Sequence, residues 1–242
     1  MHYFPVAFPF LLFFAIFLVV LIIAIEVGVL RYAYERMGVG SRHMLALLFL
    51  TFFGSYVNIP VYYLPAQNMV SDQIISLGGM GYVIPHITDW PGTVVAVNLG
   101  GAVIPVLLSL YLLAKNRLFL PGLVGVAIVT VVVHLMAYPV KGVGIAEPVL
   151  TPPLISAAVG LLLSRKFPAP LAYVAGSMGT LLGADILNLG KIQGLGAPVA
   201  SIGGAGTFDG IFLTGIVSVL LVSLVRKKGP VKGEESGDDG SH

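Results

Sequence analysis

The chain has 242 residues, 57% of them hydrophobic and only 10% charged, with a formal net charge of +2 and a mean hydropathy of +0.97. Soluble domains carry about 25% charged residues, so this composition excludes a water-soluble globule. Cysteine is absent, which removes disulfides, iron–sulfur clusters, thiolate zinc sites and a cysteine nucleophile.

About 20 apolar residues span a bilayer. Seven segments qualify in chain order: 8–30, 44–63, 93–114, 118–138, 151–164, 169–189 and 208–225. A single segment in hydrocarbon satisfies its backbone only as a helix, so the expected fold is an all-α polytopic transmembrane bundle. The first segment lacks a basic leader and a small-residue cleavage site, and reads as a retained span. The fifth is short and opens on Thr151-Pro152-Pro153; whether it crosses fully stays open. Between the second and third segments lies a long connection, 61–92, with the apolar stretch IISLGGMGYVIP inside it. That stretch is expected at the interface or as a re-entrant segment, with Trp90 and the Tyr62-Tyr63 pair as anchors.

Lysines and arginines set the orientation. Arg31, Arg36, Arg42, Lys115, Arg117, Arg165, Lys166, Arg226, Lys227, Lys228 and Lys232 fall on one side of a seven-helix layout; Lys141 and Lys191 fall on the other. This positive-inside bias places the N-terminus outside and the C-terminus in the cytoplasm, as in a multi-pass plasma-membrane protein. The division is a transmembrane domain over 1–228 and a polar, disordered cytoplasmic tail over 229–242. The cations are dispersed rather than clustered, which argues against nucleic acid and leaves the lipid bilayer as the implied partner. Oligomeric state is not legible.

Polar residues inside the spans repeat at helical spacing. Thr51, Ser55, Asn58 and Tyr62 share a face of segment two; Asn98, Gly101, Pro105 and Ser109 share one of segment three; Thr130, His134 and Tyr138 share one of segment four. Asp185 and Asn188 close segment six, and Asp209 opens segment seven. On the seven-span layout Asn58, Asn98, His134, Asp185, Asn188 and Asp209 lie in the outer third of the membrane, which implies an outward-facing polar chamber. Asn58, Asn98, His134, Tyr138 and Asn188 are its expected solute contacts. The competing reading is ordinary packing, since serine, threonine and asparagine also join helices.

The two acids stand apart. Asp209 in the first turn of a helix is ordinary dipole chemistry, but Asp185 near a helix C-terminus opposes the macrodipole and needs another reason. Ribbons of small residues, Ala172-Gly176-Thr180-Ala184 and Gly210-Thr214-Ser218, predict close packing of segments six and seven, which would bring Asp185 and Asp209 together as a candidate catalytic or proton-exchanging pair. Glu26 is expected to reach the interface. His86 and Asp89, three apart, are too few for a metal site, and no cofactor motif is present.

With GADILNLG, the glycine-rich turn and GGAGTFDGIFLTG taken together, the chain resembles a family of uncharacterised prokaryotic membrane proteins, the domain of unknown function sixteen-fourteen. That resemblance implies a membrane fold and no activity. A more distant likeness is to intramembrane aspartyl proteases of the presenilin and signal-peptide-peptidase type, which carry one aspartate on each of two successive helices; it implies Asp185 and Asp209 as the acids. Here residues 206–209 read Gly-Thr-Phe-Asp, so glycine does not directly precede the second acid. Three functions stay open: a proton- or ion-coupled carrier of a small solute, an aspartyl hydrolase acting on a membrane peptide, and a non-catalytic scaffold or sensor.

Overall fold

The computed structural model describes residues 19, 29–65, 67–77, 80–90, 92–140, 144–192, 197–204 and 210–225. For 29–30, 41–42 and 67–90 it describes the backbone alone. Most of segment 8–30, the tail 229–242 and Asp209 lie outside the described residues, as does Lys141.

The described chain is mostly helical, but it is not all-α. The order is α1 (Val29–Arg36), α2 (Ser41–Gly54), β1 (Asn58–Leu64), β2 (Gln67–Leu77), β3 (Met80–Trp90), β4 (Thr93–Asn98), α3 (Leu99–Asn116), α4 (Phe119–Met136), β5 (Tyr138–Val140), β6 (Gly144–Ala146), α5 (Thr151–Leu163), α6 (Pro168–Ile192), β7 (Val199–Ile202) and α7 (Gly210–Val225). Among the described residues α3, α4 and α6 are long and apolar enough to cross a membrane; α5, α7 and the apolar part of α2 are shorter.

Two expected spans are corrected. Segment 44–63 is helical only to Gly54, and segment 93–114 is helical only from Leu99. The residues between pair instead as antiparallel β1 and β4, Asn58 opposite Asn98 and Leu64 opposite Thr93. NIPVYYL and TVVAVN are rich in β-branched and aromatic residues, which suit a pleated ladder. The connection 61–92 is no re-entrant helix either: β2 and β3 form a long hairpin, Gln67 opposite Trp90 and Leu77 opposite Met80. β7 adds to the free edge of β4 in parallel, giving the sheet order β1-β4-β7.

α6 is the central helix. Leu171 to Ser177 are all buried, and small residues on each of its faces admit a neighbour. A Cβ added at Gly179 would stand 2.6 Å from the Val129 side chain, and one at Gly183 2.6 Å from the Thr130 carbonyl oxygen. Those approaches, with Gly125 against Ala175, set α4 parallel to α6. Gly160 meets Ala172 and Gly176 meets Ser156, so α5 runs antiparallel to α6. Gly176 also meets Thr214, while Gly215 meets Tyr173 and Ser177, the close pairing of α6 with α7 that the small-residue ribbons anticipate.

This arrangement sorts charge by end. Lys115 and Arg117 at the α3–α4 turn lie at the same end as Arg165 and Lys166 at the α5–α6 turn. Lys115 donates to the Gly38 carbonyl, drawing the α1–α2 turn to that end as well. The strands lie at the other end. Between the ends, the outer faces are apolar: Leu107, Leu110 and Val131 are each more than half exposed. A leucine left in water forgoes about 1.5–3 kcal/mol, so such a surface belongs against hydrocarbon or a partner.

Candidate functional site

The last turns of α6 do not keep α-helical spacing. Leu181–Asp185 form a π turn and Ile186–Asn188 a 3-10 turn before Leu189–Ile192 closes the helix. Widening of this kind disturbs the backbone ladder and is frequent at functional sites. Asn188 compensates: its Nδ2 donates to the Gly183 carbonyl at 2.8 Å and the Ala184 carbonyl at 3.0 Å. The outcome is that Asp185 stands half-buried at the edge of a cavity of about 390 Å³.

Four elements build that cavity. α6 contributes Thr180, Ala184, Asp185, Leu189 and Ile192; β7 contributes Val199 to Ile202; α7 contributes Gly210, Ile211, Leu213 and Thr214; the segment after β5 contributes Gly144, Ile145, Glu147 and Val149. The Gly203 N–H donates to Asp185 Oδ2 at 2.7 Å, which fixes the carboxylate against the end of β7. Gly203 has φ +91°, a left-handed conformation that glycine adopts without strain. Glu147 comes close to the first turn of α7, since a Cβ at Gly210 would lie 3.1 Å from Glu147 Oε1. Among the described lining residues there are two carboxylates and no lysine, arginine or histidine. The Thr180 hydroxyl, in a residue 1% exposed, has no hydrogen-bond partner.

A second polar cluster lies beside the first. Asn98 is fully buried; its Nδ2 donates to the Ser55 carbonyl at 2.7 Å and to Asn58 Oδ1 at 3.1 Å, and its Oδ1 accepts from the Gly101 N–H at 2.8 Å. That last bond caps the π turn Leu99–Val103 that opens α3. Ser201 Oγ donates to Asn58 Oδ1 at 2.7 Å and so ties this cluster to a cavity-lining strand.

The residues expected to share one chamber are therefore distributed. Asp185 lines the cavity. Asn58 and Asn98 bind one another across the β1–β4 ladder, Asn188 braces the π turn, and none of the three lines it. His134, half-buried near the end of α4, has a buried Nδ1 without a hydrogen-bond partner and does not line it. Tyr138 is exposed on β5. Asp209 lies outside the described residues, so its distance from Asp185 is not part of this geometry. Among the described residues no three of His, Cys, Asp and Glu gather as metal ligands.

Glu147 is the residue sequence reasoning passed over, because an acid in a connecting loop is ordinarily solvated. One signal pointed to it: Glu147 is the only acid between Asp89 and Asp185.

The family model described as "Protein of unknown function (DUF1614)" covers residues 52–221, and the chain belongs to that family. No curated protein and no solved structure matches. The likeness to intramembrane aspartyl proteases finds no support in these comparisons.

Proposed function

We propose that this member of the DUF1614 family is a multi-pass plasma-membrane protein that carries a small solute, coupled to a proton or an ion, through the cavity at the end of α6. The observation that carries the reading is the siting of Asp185 and Glu147 in one cavity at the end opposite Lys115, Arg117, Arg165 and Lys166. By the positive-inside rule the cationic end faces the cytoplasm, so the cavity faces outward. Carboxylates at membrane depth are costly and mark solute, ion or proton paths. The neighbouring π turn supplies a segment with weakened helical constraint, able to shift as a solute enters. The carrier reading stands ahead of the hydrolase because it requires no strict motif, whereas residues 206–209 read Gly-Thr-Phe-Asp and depart from the aspartyl-protease pattern.

Orientation is tested first. The chain has no cysteine, so single cysteines can be placed cleanly. Tyr138→Cys should react with a membrane-impermeant thiol reagent applied outside intact cells, and Arg165→Cys only after permeabilisation. The reverse pattern would put the cavity in the cytoplasm and end the outward-facing model. Transport is then tested in proteoliposomes with a panel of labelled small solutes. Flux that Asp185→Asn abolishes supports the carrier. Cleavage of a membrane peptide without flux turns the assignment to the hydrolase, and neither activity turns it to a scaffold or sensor.

A further inference from the structure

We propose that the groove between α2 and α3, at the cationic end of the molecule, binds one anionic phospholipid, with an acyl chain along the groove and the phosphate at its head. The site lies away from the cavity at the end of α6 and does not depend on the carrier reading.

Two antiparallel helices make the groove. At one end a Cβ on Gly54 of α2 would stand 3.0 Å from the Gly100 nitrogen of α3; at the other, Lys115 reaches the Gly38 carbonyl. The residues between leave a groove of about 470 Å³. α2 turns Met44 and Leu48 into the core and sets His43, Leu47 and Leu50, one stripe of the helix, along the groove. α3 supplies Ile104, Leu107 and Tyr111. Leu50 and Leu107 are more than half exposed, so the groove opens on the outer apolar face.

Its two ends differ. The end at Leu50 and Ile104 is apolar, whereas the end at His43 and Tyr111 is polar. Lys115 stands at the polar end, its Nζ 5.4 Å from the Tyr111 ring centroid. A Cβ at Gly38 would lie 3.2 Å from that Nζ, and one at Gly40, which lines the groove, 3.7 Å from His43 Nδ1. Gly40 is also the N-cap of α2, which puts the positive end of that helix dipole at the same place. One donor of Lys115 goes to Gly38, and an ammonium has three. Among the described residues no acid lines the groove, and the single carboxylate of α1, Glu35, is held by Arg31 at 2.9 Å.

An apolar slot with a cationic head matches an anionic lipid in both parts. From His43 to Leu50 the helix rises about 10 Å. Half of a hydrocarbon core is about 15 Å, so the groove takes most of the length of one acyl chain within its leaflet. Basic pockets between membrane helices hold anionic headgroups in this way. A zwitterionic headgroup also carries a phosphate, but its own ammonium would meet Lys115 as a like charge. A soluble anion would leave the apolar length unfilled.

The test places a tryptophan reporter in the groove. Trp90 is the one tryptophan of the chain, so Trp90→Phe gives a silent background. In it, Leu107→Trp reports the groove and Ile128→Trp reports the outer face of α4, each nine residues from its helix end at the α3–α4 turn. The full-length chain is placed in nanodiscs of dioleoyl phosphatidylcholine that contain brominated phosphatidylglycerol or brominated phosphatidylcholine with the same chains. Phosphatidylglycerol should quench Leu107→Trp with about fivefold preference, the worth of one lysine at an anionic surface, and Ile128→Trp with less than about twofold. Lys115→Gln should bring the groove reporter down to the level of the α4 reporter. Equal preference at the two reporters, or a preference untouched by Lys115→Gln, overturns the proposal. Shielding of Leu107→Trp from both brominated lipids overturns it too, since a protein segment such as residues 8–28 or a second copy would then fill the groove. If Lys115→Gln does not fold, salt decides: the preference at Leu107→Trp should fall between about 0.05 M and about 1 M NaCl, and a preference indifferent to salt overturns the proposal.

Discussion

The two polar clusters at the strand end are built from similar side chains and share Ser201, yet they differ in how their bonds close. Around Asn98 both the amide nitrogen and the amide oxygen have protein partners, and the bonds join α2, β1, β4 and the start of α3. Around Asp185 the carboxylate accepts from the Gly203 N–H, and it is the Thr180 hydroxyl, of another residue lining the cavity, that has no hydrogen-bond partner. A closed network spends its polarity on holding the chain together, whereas an open one keeps polarity for something that arrives. The first cluster should therefore govern stability, and the second should govern binding.

The comparison is broken most severely at the contact that joins the clusters. A Cβ at Gly101 would lie 1.8 Å from the Gly203 carbonyl oxygen, a collision with backbone rather than with a movable side chain. Gly101→Ala should cost about 3 kcal/mol or more, the upper range for overpacking, and should lose folded protein on size-exclusion chromatography. An alanine variant as stable as the parent would show that the α3 start and the end of β7 do not meet as described.

Next in size is Asn98→Ala. It leaves the Ser55 carbonyl without the side-chain bond and the Gly101 N–H without its cap, at about 1–3 kcal/mol for each buried group left unsatisfied. In a chain of this length each kcal/mol lowers the melting temperature by about 2–4 °C. Thermal unfolding in detergent should register that drop, while the protein that remains folded transports solute in proteoliposomes as the parent does. Lost transport with unchanged melting would exchange the roles assigned to the two clusters.

Asp185→Asn should do the opposite. The amide oxygen can still accept the Gly203 N–H, so stability should change by less than about 1 kcal/mol, the worth of a typical net hydrogen bond. Solute flux in proteoliposomes should be lost. Unfolding of this variant would make Asp185 a structural acid.

The smallest effect sharpens the comparison most. Thr180→Val replaces an unpartnered hydroxyl with a methyl group of similar shape. Melting should hold steady or rise slightly, by up to about 1 kcal/mol in stability, because a buried unsatisfied group is removed. Solute flux in proteoliposomes should fall by about threefold over the same substitution, the loss of one modest hydrogen bond. A clear loss of stability would mean that Thr180 has a partner in the native state and that the second cluster is closed as well.

Several helices were legible because their apolar runs are long and bounded. Segments 118–138, 151–164 and 208–225 correspond to Phe119–Met136, Thr151–Leu163 and Gly210–Val225, and 169–189 lies within Pro168–Ile192. The misread stretches are 55–63 and 93–98. An apolar run of six to nine residues suits a helix end and a buried strand equally well, and hydropathy does not separate them. The polar spacing on segments two and three was read as two helix faces at one depth. Asn58 and Asn98 do lie at one level, but as opposite partners in a β ladder.

What the sequence by itself determined is the solvent this chain is made for. Charge content and long apolar runs are properties of composition and order, and among the described residues three of those runs form helices long enough to cross a membrane. The membership of the cavity was decided by tertiary structure alone. Glu147 and Asp185 are far apart in the chain and come to one cavity because α6 loosens into a π turn and because glycines on α4, α6 and α7 allow the surrounding backbones to close in. No local pattern encodes that meeting, since it depends on which helix faces touch.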